Sequence, residues 1–133
     1  MLERLGLGHV DLYLIHWPAS ARGLFAETWE VLRELHAEGL ARAISVSNFR
    51  SEDLAVLLAG GGPAPGVNQI ELHPYQQQRL RARHAELGIV TEAWAPLSQG
   101  RLLRDPVLLK HRVPTGCHRR ASRAALASAT RTR

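Results

Sequence analysis

The sequence predicts an α/β fold of about four consecutive βα units with parallel strands. This is the pattern of a partial (β/α)₈ TIM barrel or of an open doubly wound sheet. Three observations predict it. Short apolar strands alternate with amphipathic helical segments. The strand starts recur at spacings of about 20 to 30 residues, as a helical crossover between parallel strands requires. Hydrogen-bonding or aromatic side chains recur at the C-terminal ends of the strands, the end at which barrels carry their sites.

Taken in order, Val10 to His16 alternates as a strand, with Leu12, Leu14 and His16 on one face and Asp11, Tyr13 and Ile15 on the other. "AETWEVLRELHAEGL" is helical, because Trp29, Leu32, Leu35 and His36 recur at spacings of three and four, and Gly39 stops it. "ARAISVSNF" is a second strand. "SEDLAVLLAG" is a second helix with Ser51 as N-cap, acidic residues in its first turn, and glycines 60 to 62 at its end. "VNQIELHP" is a third strand closed by Pro74, "QQQRLRARHAELG" a third helix ending at Gly88, and "IVTEAWAPL" a fourth strand. No GxGxxG occurs, and glycines 60 to 62 follow a helix, so they form no phosphate loop.

Composition narrows the function classes. Apolar residues make up 45% of the 133, enough to build a core. No apolar run approaches the roughly 18 residues of a membrane span, and the charged "MLERLGLGHV" does not read as a secretory signal. The single cysteine, Cys117, excludes an internal disulfide framework and fits a reducing, cytoplasmic setting. Charge is unevenly spread. Residues 1–100 hold 8 Arg and 11 acidic residues, a net of −3, whereas residues 101–133 hold 9 basic residues and only Asp105, a net of +8. That tail has no aromatic residues on which bases would stack, which argues against nucleic acid as its partner.

The candidate site follows from the strand ends. Strand one ends in His16 and strand two in Ser47 and Asn48. Strand three carries Gln69, Glu71 and His73 on one face, and strand four ends in Glu92 and Trp94. Each has a bland alternative. His16 alone reads as a satisfied core histidine, Ser47 and Asn48 as turn-capping residues, Gln69 and Glu71 as a polar layer, and Trp94 as packing. The joint pattern favours side chains delivered to a ligand in a common hollow.

The stretches "LGLGHVDLYLIHWP", "TWEVLRELHAEGLARAISVSNF", "VNQIELHPY" and "GIVTEAWAPLSQG" resemble the central part of aldo-keto reductases, in the same order and at similar spacings, over residues 1 to about 106. The resemblance implies a (β/α)₈ barrel that binds NADP(H), with NAD(H) the alternative, and reduces aldehydes and ketones to alcohols on small carbonyl substrates. It implies no metal. Residue by residue, it implies that His16 orients and polarises the substrate carbonyl and that Trp17 lines the substrate pocket. Ser47, Asn48 and Gln69 would grip the nicotinamide carboxamide, Trp94 would stack on the ring, and Leu97 and Ser98 would approach the pyrophosphate.

The resemblance also implies departures. The family's proton-donating tyrosine, with its lysine and aspartate, would precede Met1, and no residue here takes those roles. The expectation is a partial reductase barrel over residues 1–108, truncated and inactive alone, followed by a basic low-complexity tail over 109–133, disordered or the product of out-of-frame translation. Its open barrel edges would invite self-association. Two other classes compete. One is a non-catalytic nicotinamide-nucleotide-binding or regulatory module. The other is a metal-dependent hydrolase using His16, Glu71 and His73, weakened by the absence of HxH and HExxH spacings.

Overall fold

In the computed structural model, residues 2–76 and 79–110 are described. A four-residue helix α1 (Leu2–Leu5) leads into strand β1 (Val10–Ile15). Helix α2 (Phe25–Ala37), strand β2 (Ala41–Ser47), helix α3 (Ser51–Ala59), strand β3 (Val67–Glu71), helix α4 (Leu80–Glu86) and strand β4 (Val90–Trp94) follow, and helix α5 (Pro106–Lys110) closes the series. The strands form one sheet in the order β1-β2-β3-β4. β1 pairs with β2 in parallel with Leu14 against Ser45, and β2 pairs with β3 in parallel with Ser47 against Gln69. Four parallel strands in sequence order, each joined to the next by a helix, make a partial (β/α)₈ fold.

The described residues divide into two compact units, 2–70 with 79–92 and 71–76 with 93–110. The first carries the apolar core. Ile44 and Val46 of β2 pack with Trp29 and Leu32 of α2, Leu54 and Leu57 of α3, Phe49 and Ile89; Tyr13 and Ile15 of β1 close against them. Phe25 and Phe49 meet edge to face with ring centroids 5.5 Å apart. Each fully buried side chain of this size contributes about 1.5–3 kcal/mol relative to exposure. Because Ile44 and Val46 face the helices, the pleat turns Ser45 and Ser47 to the opposite side of β2. The core therefore fixes which face carries the polar residues.

Gly39, with φ of 76°, adopts the left-handed conformation that ends α2 and returns the chain into β2. At α3 the expected cap shifts by one residue. Ser51 is the first helical residue and Arg50 the N-cap. Asp53, not a serine hydroxyl, satisfies the chain start by accepting the Arg50 backbone N–H at 3.0 Å. The strands are also shorter than their apolar runs. His16, Asn48 and His73 lie beyond the last ladder residue, because the backbone leaves the sheet there. In the second unit, His73 and Gln76 form an antiparallel bridge that tightens the turn at Pro74. Most of the basic tail over 109–133, with Cys117, lies outside the described residues; only its first two residues, the end of α5, fall within them.

Candidate functional site

Backbone strain marks where the sheet hands over to its loops. Among the described residues, the non-glycine residues with left-handed φ are Ala19, Asn48, Ala95, Ser98 and Gln99. All follow the C-terminal end of a strand: β1, β2 or β4. Such conformations cost on the order of 1–3 kcal/mol each and persist where surrounding contacts enforce them, often at ligand sites.

In the first unit the enforcing contacts are on β2 and β3. Asn48, φ 62°, donates its side-chain nitrogen to the His16 carbonyl at 3.1 Å and to Ser47 Oγ at 3.0 Å. The Ser47 hydroxyl in turn donates to the Gln69 carbonyl at 2.9 Å, which also accepts the Asn48 backbone N–H at 2.9 Å. Ser47 is buried, at 1% exposure, while Asn48 and Gln69 are half-buried. The Gln69 side chain donates Nε2 to Glu92 Oε1 of β4 at 3.0 Å. His16 is exposed at the end of β1, its ring inclined at 65° to that of Trp17 with centroids 6.4 Å apart; Trp17 is exposed. His16, Ser47, Asn48 and Gln69 are thus linked by a continuous run of hydrogen bonds through the ends of three adjacent strands.

The same unit holds two polar groups that the sequence reading passed over. His84 of α4 is fully buried. Its Nε2 faces Asn68 Nδ2 at 3.0 Å and its Nδ1 faces Thr91 Oγ1 at 2.7 Å. Since an amide nitrogen only donates, Nε2 is the accepting nitrogen and Nδ1 carries the proton. Burial pushes the His84 imidazole below its usual pKa, consistent with this neutral tautomer. Asn68 also donates to the Phe49 carbonyl at 2.9 Å, so the residue beside Asn48 is held from behind. Asp53, buried at the start of α3, accepts Ser20 Oγ at 2.9 Å and so ties the β1–α2 connection to α3. A histidine in "RLRARHAEL" looks solvent-facing; the signal that could have exposed it is Asn68, a polar residue on the core side of β3.

In the second unit, Trp94 ends β4 half-buried, and its carbonyl accepts the Leu72 N–H at 3.3 Å. The turn after it is tight: Ser98 N–H reaches the Ala95 carbonyl at 2.7 Å and Gly100 N–H the Leu97 carbonyl at 2.9 Å. Ser98 is buried and Leu97 half-buried. Glu71 and His73 lie close, Oε1 to Nε2 at 3.4 Å. Tyr75 donates its hydroxyl to Asp105 at 2.9 Å, and that hydrogen bond to a carboxylate raises the phenol pKa above its ordinary value. Among the described residues, no three His, Cys, Asp or Glu side chains group so as to hold a metal ion.

The model of the Aldo/keto reductase family matches residues 1–125. The chain belongs to that family. An aldo-keto reductase of Mycobacterium sp. (strain KMS) is 52% identical over 108 residues, which is 80% of this chain and 39% of that protein. The solved aldo/keto reductase of Brucella melitensis is 51% identical with a TM-score of 0.74, covering 82% of this chain and 42% of that one. A mutant of Gox0644 solved in complex with NADPH is 48% identical with a TM-score of 0.78, covering 83% and 41%. This aldo/keto reductase chain thus spans about two fifths of the length of the relatives it matches.

Proposed function

We propose that this chain binds a nicotinamide nucleotide, NADP(H) with NAD(H) the alternative, and serves the reduction of aldehydes and ketones to alcohols. The hydrogen-bonded run from His16 through Asn48 and Ser47 to Gln69 carries the reading. A carboxamide presents one acceptor and two donors, so it needs partners of both kinds within a few ångströms. Ser47, Asn48 and Gln69 bring hydroxyl and amide groups together on neighbouring strand ends: amide oxygens suit the carboxamide NH2, and the Ser47 hydroxyl would turn from the Gln69 carbonyl to meet the carboxamide oxygen, so the residues fit the group. They would hold the carboxamide and set the plane of the ring. Trp94 would offer a stacking surface, and Leu97 and Ser98 the turn that approaches the pyrophosphate.

When bound, the nucleotide supplies the hydride; the protein supplies binding and orientation. His16, exposed at the end of β1, would donate a hydrogen bond to the carbonyl oxygen of a small aldehyde or ketone. That bond strengthens as negative charge develops on the oxygen, which is the differential binding that accelerates a reaction. Trp17 beside it would cover the substrate from water.

The two tyrosines favour a second reading, a nicotinamide-nucleotide-binding module without turnover of its own. Tyr13 packs against the core and Tyr75 is engaged with Asp105, so neither is poised as the proton donor. No helix among the described residues is long and apolar enough to cross a membrane. β1 and β4 are the outer strands of the described sheet, and pairing of their edges with a second copy is proposed as the route to self-association.

Titration with NADPH tests the reading. The expected result is saturable quenching of tryptophan fluorescence, reduced by Trp94→Leu and by Asn48→Ala. No saturable response would overturn it. Assaying NADPH oxidation with a reactive aldehyde separates the two readings: turnover lost in His16→Ala supports the reductase, and binding without turnover supports the module.

A further inference from the structure

A glutamine amide is nearly symmetric in shape, and its two ends differ only in what they offer: Nε2 donates and Oε1 accepts. Left alone beside a ligand, Gln69 can present either end. The structure removes that freedom. Its backbone is pinned, because the Gln69 carbonyl accepts both the Ser47 hydroxyl and the Asn48 N–H at 2.9 Å. Its side chain is pinned as well, because Nε2 donates to Glu92 Oε1 at 3.0 Å. An ionised carboxylate only accepts, so it draws the NH2 end and repels the oxygen. The two groups lie on adjacent strands, β3 and β4, 23 residues apart in sequence. Glu92 is exposed, so its charge is not a packing requirement of the core.

We propose that Glu92 is a positioning residue that turns the Gln69 amide so that Oε1, never Nε2, meets the carboxamide NH2 of a bound nicotinamide. The inference rests on the nicotinamide reading above and adds a polarity to it. The site then accepts a hydrogen at Gln69 and discriminates against any pyridine ring whose substituent lacks an N–H. Glutamine at position 92 would abolish this, because a second amide can receive either end of the first.

The test compares calorimetric affinities for NADP+ and for its 3-acetylpyridine analogue, which replaces the carboxamide NH2 with a methyl group. The chain as it stands is expected to prefer NADP+ about tenfold, the worth of one hydrogen bond left unmade. Glu92→Gln, isosteric and exposed, should narrow that preference to about two- to threefold at an unchanged urea midpoint, and Gln69→Leu should narrow it as far. A tenfold preference retained in Glu92→Gln overturns the positioning role while leaving the nicotinamide reading intact. Narrowing in Gln69→Leu alone does the same. No saturable binding of NADP+ by the unmutated chain overturns the nicotinamide reading, and the positioning role with it.

Discussion

Asn48 reaches back across the sheet to the carbonyl oxygen of His16, 3.1 Å from its side-chain nitrogen, so the end of β1 is held by the residue just past the end of β2. The same nitrogen meets Ser47 Oγ, which engages both amide hydrogens. Asn48 manages this only from a left-handed backbone.

That conformation makes Asn48→Ala and Asn48→Gly unequal. Alanine loses the side-chain bonds and keeps the strain of a Cβ at positive φ; glycine loses the bonds alone. Unfolding in urea is expected to show Asn48→Ala less stable by about 2–3 kcal/mol and Asn48→Gly by about 1 kcal/mol. Both should weaken NADP+ by about tenfold. Equal stabilities would mean that the backbone at this position carries no strain.

His84 predicts a pH dependence. In the unfolded chain an imidazole takes up a proton near pH 6.5, whereas burial holds the folded pKa below that value. Below about pH 6.5 the unfolded state therefore binds more protons, and stability falls as the pH drops; above it the contribution is fully present. The urea midpoint should be lower at pH 5.5 than at pH 7.5. His84→Gln, which can still accept from Asn68, should cost about 1–2 kcal/mol at pH 7.5 and flatten the difference. The same slope in the variant would assign the pH effect to other histidines.

Asp53 serves two donors at once, Ser20 Oγ on one oxygen and the Arg50 N–H on the other. Asp53→Ala should cost about 1–2 kcal/mol, as loss of a helix cap does, and Ser20→Ala about 0.5–1 kcal/mol. A double-mutant cycle should return coupling between them. Additive losses would show that the Ser20 contact contributes nothing to holding the β1–α2 connection.

A fourth expectation is a small effect. Arg42 and Asp11 pair at 2.8 Å across β1 and β2, but both side chains are more than half exposed. Arg42→Ala should shift stability by no more than about 0.5 kcal/mol at physiological salt. A loss of 2 kcal/mol in thermal or urea unfolding would contradict it.

The alternation of Leu12, Leu14 and His16 against Tyr13 and Ile15 was legible because one face of β1 meets the core, and burial of Tyr13 and Ile15 with Ile44 and Val46 follows from it. The repeating βα order was legible for the same reason: period 2 and period 3.6 are local properties. Strand ends were less so. Apolar composition continues past Ile15, Ser47 and Glu71, but the ladder stops where Asn48 turns left-handed and where the chain bends toward Pro74. Ser51 looked like the cap of α3 because serine favours that position; a carboxylate three residues past Arg50 did the work instead. The pairs least visible were Asn68 with His84 and Gln69 with Glu92, since each joins residues 16 or 23 apart that meet only through tertiary structure, the first by packing of α4 on β3 and the second by the pairing of β3 with β4.

The ends of a sheet ordinarily fray, because the last backbone bonds have no neighbour beyond them. Here side chains take over where the ladder stops, running from the His16 carbonyl through Asn48 and Ser47 to the Gln69 carbonyl. The rim of the first three strands is laced rather than loose, so slow solvent exchange of its amides should extend outward to the edge from which a ligand would approach.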